Sequence, residues 1–264
     1  MFVIRYFRLF AYFVQFSISK ALQFRLDFFF RIVMDLLYYA INIAFYRVIY
    51  LTTPILGGWS EPQVMVFVGG YLFVDALNMT LFSNNTWWIP QMINRGDLDY
   101  YLLRPVSSLF FVSLRDFAVN SFVNLVFASA ILAWALSRLP VPLSVGKAAL
   151  YLMLLLNGTF IYYLLNMLFT LPTFWTHSAN GFQGLFMTTN KLMERPDRIF
   201  RGLARWMVTL ILPFSLIASF PARLALEVYS WRTLGHIAVV TLILFWVVTR
   251  LWEKGLSTYS SASS

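Results

Sequence analysis

The sequence predicts an all-α, polytopic membrane protein with six transmembrane helices, and three observations predict it. Of its 264 residues, 60% are hydrophobic, 19% aromatic and only 12% charged, whereas a soluble domain carries about a quarter of its residues as charges. The polar remainder is too small to cover a core of this size, so the excess apolar surface must face lipid. Apolar runs long enough to cross a bilayer, which takes about 20 residues, alternate with short polar or Pro/Gly-marked breaks. Lysine, arginine and tryptophan fall at the ends of those runs, as membrane interfaces require. The whole chain, residues 1–264, reads as one transmembrane domain.

Residues 1–27 open the order of elements. Arg5, Arg8, Gln15, Lys20 and Arg25 are interleaved with aromatic and aliphatic residues from Phe2 to Phe24, the pattern of a helix lying in the membrane interface. No compact apolar stretch followed by a small-residue cleavage site appears, so the N-terminus is expected to be retained. The spans are expected at residues 28 to 51, 63 to 83, 109 to 136, 147 to 171, 203 to 220 and 234 to 252. Between them lie a cytoplasmic loop at 84–108, a cytoplasmic interfacial loop at 172–202 and an outer segment at 213–232.

The positive-inside rule puts both termini on the cytoplasmic side of the cell membrane. Only Arg47, Arg138, Lys147, Arg223 and Arg232 then remain outside. Residues 175–190 are apolar enough for a further short span. That reading is set aside because it would carry Lys191, Arg195, Arg198, Arg201 and Arg205 outside.

Several function classes drop out. A net charge of +9 could suggest nucleic-acid binding, but the basic residues are scattered between apolar runs and form no contiguous face, so anchoring to membrane lipids explains them better. Cysteine is absent, which removes disulfides and thiolate chemistry. His177 and His236 are too few and too far apart for a metal cluster. No catalytic, cofactor-binding or metal-binding residues are assigned.

Polar residues inside spans are the next candidates, because ionisable groups near a bilayer centre are costly and face the protein interior. Asp27, Arg31 and Asp35 share one helix face at four-residue spacing and are expected to pair along span 1. Asp75 and Asn78 lie deeper, in span 2. Asp116, Asn120 and Asn124 form a second four-residue stripe at the start of span 3. Each set would line a translocation path or bond across a helix interface, and spacing does not separate the two. Pro213 and Pro221 favour a broken helix followed by a return segment.

The stretch Asn94-Arg-Gly-Asp-Leu-Asp-Tyr-Tyr-Leu-Leu-Arg-Pro105 reads as a short helix at the membrane surface. Gly96 supplies a turn, Asp97 and Asp99 favour a helix N-terminus, and Pro105 stops the helix. Tyr100, Tyr101, Leu102 and Leu103 put apolar contact beside the charges of Arg95 and Arg104.

This pattern resembles the type 2 ABC exporter permeases. Glu194-Arg-Pro, Ile211-Leu-Pro-Phe and Phe220-Pro-Ala-Arg look like that family's fifth span and following reentrant segment. The ending from Leu251-Trp-Glu-Lys-Gly to Tyr259-Ser-Ser is similar to the tail of its members without a fused ATPase. The resemblance implies a half-transporter that pairs with a second permease, identical or paralogous. Two copies of a separate ATPase subunit, carrying ATP and Mg, would supply the energy, and Asn94 to Pro105 would be the coupling helix that docks on them. The chain has no Gly-x-x-x-x-Gly-Lys-Ser/Thr phosphate loop, so ATP hydrolysis is expected on another chain. The alternative from another class is a secondary transporter or channel. It would be expected to show two related halves with matched interruptions, and only one Pro-marked break is present.

Overall fold

The computed structural model describes residues 2–21, 25–178, 181–227 and 230–259. Among them no strand occurs, and the chain is built from helices joined by short turns. Helix α1 covers Phe2–Ala21 and α2 covers Arg25–Tyr50. Glu61–Arg95 forms one continuous helix, α3, with a π-helical turn at Met79–Ser83. After it come α4 at Asp99–Leu102, α5 at Ser108–Leu114, α6 at Val119–Ser137 and α7 at Val145–Thr170. Then follow α8 at Gly181–Thr189, α9 at Gly202–Ile211, α10 at Ser219–Leu226 and α11 at Trp231–Thr258.

Among the described residues, five helices are long and apolar enough to cross a membrane: those at Phe28–Tyr50, Glu61–Arg95, Val119–Ser137, Val145–Thr176 and Trp231–Thr258. Helix α3 is the centre of the bundle. In α3, 78% of the most apolar window is buried, against 11% in α2 and 17% in α11, whose outer faces are left for lipid or another chain. On α2 that outer face carries Phe30, Met34, Leu37, Ile41, Phe45 and Val48, all exposed and three or four residues apart. Polar side chains lock the spans together: Tyr151 of α7 donates to the Val66 carbonyl of α3 at 2.9 Å, and Asn157 donates to Thr241 of α11 at 3.1 Å. Gly158 is needed for a close approach, because a Cβ there would lie 2.1 Å from the Ile217 carbonyl oxygen.

Two of the expected spans are interrupted. The stretch foreseen at 109 to 136 breaks between α5 and α6, at residues 115–118. Such a break leaves backbone groups unpaired, and in a membrane each must find a partner inside the protein. Asn85 supplies two, accepting from the Asp116 amide at 3.0 Å and donating to its carbonyl at 2.8 Å. Ser17 of α1 accepts from the Phe117 amide at 2.9 Å. The carbonyl of Thr80, in the π turn where the i→i−4 ladder is disturbed, accepts from the Ala118 amide at 3.0 Å.

The stretch foreseen at 203 to 220 is not one helix either. Helix α9 has ten residues, about 15 Å at 1.5 Å per residue, and ends before Leu212-Pro213, where the missing amide hydrogen and fixed φ of proline stop it. The chain then doubles back. Arg205 on α9 and Arg223 on α10 both donate to Asp197 Oδ2 at 3.2 Å, so the two limbs lie side by side with Pro213 at the apex.

Residues 172–202 make contacts at several levels of the bundle. At one end Asn94 donates to the His177 carbonyl at 3.1 Å, and Gln183 to that of Trp87 at 3.3 Å. Further along, Asn190 donates to the Tyr162 hydroxyl and Glu194 accepts from Tyr38. Arg198 finally lies against Gly57 and Gly58, just before α3 begins. The two ends of this stretch therefore meet opposite ends of α3. Several of the arginines in and after this stretch have partners: Arg198 is bonded to Glu227 at 2.6 Å, Arg205 to Asp197, and Arg195 stacks on Phe45.

Candidate functional site

The surface segment grows directly out of α3. The helix does not stop at residue 83, as the span-and-loop division expected, but runs on to Arg95. Gly96 ends it with φ of 78°, a left-handed conformation that a side chain disfavours. The amides of Gly96 and Asp97 bond back to the carbonyls of Ile93 and Met92 at 3.4 and 3.0 Å, closing the paired cap typical of helix C-termini. The coupling helix foreseen from the sequence is thus a single turn, α4, with Asp99 in its first position.

Within this segment Leu98 is fully buried and acts as the anchor, while Leu103 is 86% exposed. Arg95, Asp97, Tyr100, Leu102, Arg104 and Pro105 are exposed as well. The segment is braced from three sides. Tyr101 packs on Phe111 and lies beneath the Arg115 guanidinium, 5.0 Å from the ring centre. Arg104 lies over Tyr100 at 4.5 Å and hydrogen-bonds to its hydroxyl. From α1, Tyr6 accepts from the Ser107 amide at 3.1 Å and stacks edge-on to Phe110, and Phe13 does the same to Phe111. The last helix reaches the same place: burial, then the nearby Asp99 carboxylate, raise the pKa of Tyr259. The arrangement presents a braced patch of mixed charge with Leu103 and Tyr100 exposed.

The second feature is a cavity of about 460 Å³ between α2, α3, α7 and α8. It brings together Asp35 and Asp75 from the sequence set with residues that spacing did not single out, namely Tyr38, Tyr71 and Glu194. Tyr38 and Tyr71 share a 2.5 Å hydrogen bond, and Tyr38 reaches Glu194 at 3.1 Å. No local signal marks the tyrosines, because their meeting depends on how α2 packs on α3. Glu194 was visible only as part of a family-like triplet.

The other polar candidates separate. Asn124 donates to Asp35, bonding α6 to α2, so Asp35 belongs to both a helix interface and the cavity wall. Asn78 is buried and donates to Ser83 across the π turn, within its own helix. Asn120 lines a shallower cleft with Asp35 and Ser121. Asp116 falls in the break before α6 and not on a helical stripe, with Ser17 donating to its carboxylate at 3.4 Å. The side chain of Asp27 lies outside the described residues. Pro213 stands at the apex of the α9–α10 hairpin, and Pro221 is buried in the first turns of α10, where a proline's missing donor costs no hydrogen bond.

The chain is thus a helical membrane domain with a cavity of about 460 Å³ among its helices and a braced, exposed segment at one end. The family assignment agrees: residues 36–263 match the model described as ABC-2 family transporter protein, and the chain belongs to that family. It is a multi-pass membrane permease subunit of an ABC transporter. No curated protein and no solved structure matches it.

Proposed function

We propose that the chain is the membrane half of an ATP-driven exporter in the cytoplasmic membrane, docked through Asn94 to Pro105 on a separate ATPase subunit. The observation that carries this reading is the docking patch: a rigid cap at Gly96, a buried anchor at Leu98 and exposed Asp97, Leu103 and Arg104, held by both terminal helices. Because the patch is continuous with α3, the most buried helix, a push on it would be delivered to the centre of the bundle. Closure of an ATPase dimer would rock the spans and expose the solute path alternately. Two ATPase copies and a second permease, identical or paralogous, complete the assembly. The exposed stripe on α2 offers a face for such pairing.

The contacts of residues 177–198 favour taking that stretch as the fifth crossing, with α9 and α10 as a reentrant hairpin entering from the outer side. Six crossings with both termini cytoplasmic follow. Copurification with the tagged chain tests the central claim: an ATPase should be recovered with the wild type, and consistent recovery of none would favour a transporter or channel that runs without ATP.

A further inference from the structure

We infer that the groove between α2 and α6 is a binding site for an anionic phospholipid, its phosphate held by Arg47 and Arg138 and one acyl chain lying along the apolar wall beside them. The inference rests on the chain's place in a bilayer and not on what drives transport. Arg47 and Arg138 are two of the five basic residues that the positive-inside count left on the minority side. They come from different helices, Arg47 from the last turn of α2 and Arg138 from the cap of α6, yet they meet. Both lie over the Trp134 ring, at 5.6 and 5.9 Å from its centre. Little negative charge answers them. Glu61 stands 3.9 Å from Arg47, with both side chains about half exposed, and Arg138 has no carboxylate partner among the described residues. A guanidinium matches phosphate oxygens with paired donors, and an indole at a span end belongs at headgroup level.

The groove beside the arginines has a volume of about 400 Å³. Its apolar wall is Ile43 of α2 with Phe127, Ala130 and Ile131 of α6. The α6 members are three and four residues apart, and Trp134 continues the series, so one helix face leads from hydrocarbon to the two cations. Such a wall offers nothing to a free phosphate ion, which commits the occupant to a molecule carrying both phosphate and hydrocarbon. A second copy of the chain fits the groove less well. The exposed stripe of α2 that would meet it, Phe30 to Val48, points elsewhere, because Ile43 and Arg47 lie roughly 140° around the helix from that stripe. Helix α2 also gains most from a lipid bridging it to α6, since only 11% of its most apolar window is buried.

The test uses the full-length chain, delipidated in detergent and titrated with phosphatidylglycerol or phosphatidylcholine of identical acyl chains. Bound lipid is counted by native mass spectrometry and stability is read as melting temperature. Phosphatidylglycerol should fill one site at least about fivefold more tightly than phosphatidylcholine. It should also raise the melting temperature, because a ligand that binds only the folded chain stabilises it. Arg47→Gln with Arg138→Gln should weaken that site at least about tenfold and abolish the melting shift. Lys147→Gln with Arg232→Gln removes the same charge from the starts of α7 and α11 and should stay within about twofold of wild type. Ala130→Trp keeps both arginines but fills the groove, and should weaken the site as the arginine pair does. Equal binding of the two lipids, equal losses in the two double variants, or tight binding intact in Ala130→Trp overturns the inference. So does a lipid-free dimer that Ala130→Trp dissolves, which would make the groove a contact between copies. On the wild type, phosphatidylglycerol with a photoreactive acyl chain should label Phe127 to Trp134, and labelling confined to other segments overturns the inference whether or not the variants fold.

Discussion

Asp197 is the residue on which the hairpin hangs, and removing it should loosen that end of the bundle measurably. Its side chain is fully buried, accepting from Ser219 at 2.7 Å and from Arg205 and Arg223 at 3.2 Å each. Its own amide donates back to Ser219 at 3.0 Å. Breaking a buried pair by deleting one partner costs about 3–5 kcal/mol when the remaining charge is trapped. Here the arginine side chains are 46% and 25% exposed and can turn toward water, so Asp197→Ala should cost about 2–3 kcal/mol. At roughly 2–4 °C per kcal/mol for a chain of this order of size, the melting temperature in nanodiscs should fall by about 5–10 °C. Arg223→Ala should cost less, and the double variant should fall short of the sum by about 1 kcal/mol because the two share one interaction. As a control, Arg250 and Glu253 are also 3.2 Å apart, but their side chains are about two-thirds exposed. Arg250→Ala should move the melting temperature by no more than about 2 °C. A melting temperature for Asp197→Ala equal to wild type, or strict additivity with Arg223→Ala, would refute the reasoning.

Three further outcomes are expected. Replacing Asp97 and Asp99 together by lysine should cut ATPase copurification more than tenfold while leaving membrane insertion and melting unchanged; normal ATP-driven export by that variant would remove the docking assignment. Because the chain has no cysteine, single cysteines report sidedness cleanly: an impermeant maleimide applied to intact cells should label Arg201→Cys and spare Leu103→Cys, and the reverse pattern would invert the proposed topology. Gly158→Ala should force α7 away from the backbone at Ile217, with a cost of about 2–3 kcal/mol seen as a lower melting temperature; an unshifted melting curve would show that the two segments are not in contact.

Much of the architecture was readable before any coordinates. The all-helical membrane class, the long apolar helices near residues 28 to 51, 63 to 83, 147 to 171 and 234 to 252, and the Gly96 turn all follow from local properties. Hydropathy over twenty residues reports the solvent a helix sits in, and a glycine after a helical run reports the end of that run. The family pattern at Arg95-Gly-Asp-Leu-Asp and Glu194-Arg-Pro was likewise present in the order of residues alone. The Asp116, Asn120 and Asn124 stripe misled because helical spacing was applied across a break that no local signal marks, and the partners that permit the break, Asn85, Thr80 and Ser17, come from two other helices.

The sequence by itself determined that this chain lives in a bilayer, where four of its long apolar helices run and where the turn at Gly96 falls. The tertiary structure decided the rest: that residues 177–198 join opposite ends of α3, that the 203 to 220 stretch folds back on itself, and that Asp35, Asp75 and Glu194 share one cavity. Each of those depends on which charge meets which across large sequence separations. Counting treats an arginine bonded to Glu227 or Asp197 as free, because composition records what a residue is and only packing records whether its charge has been answered.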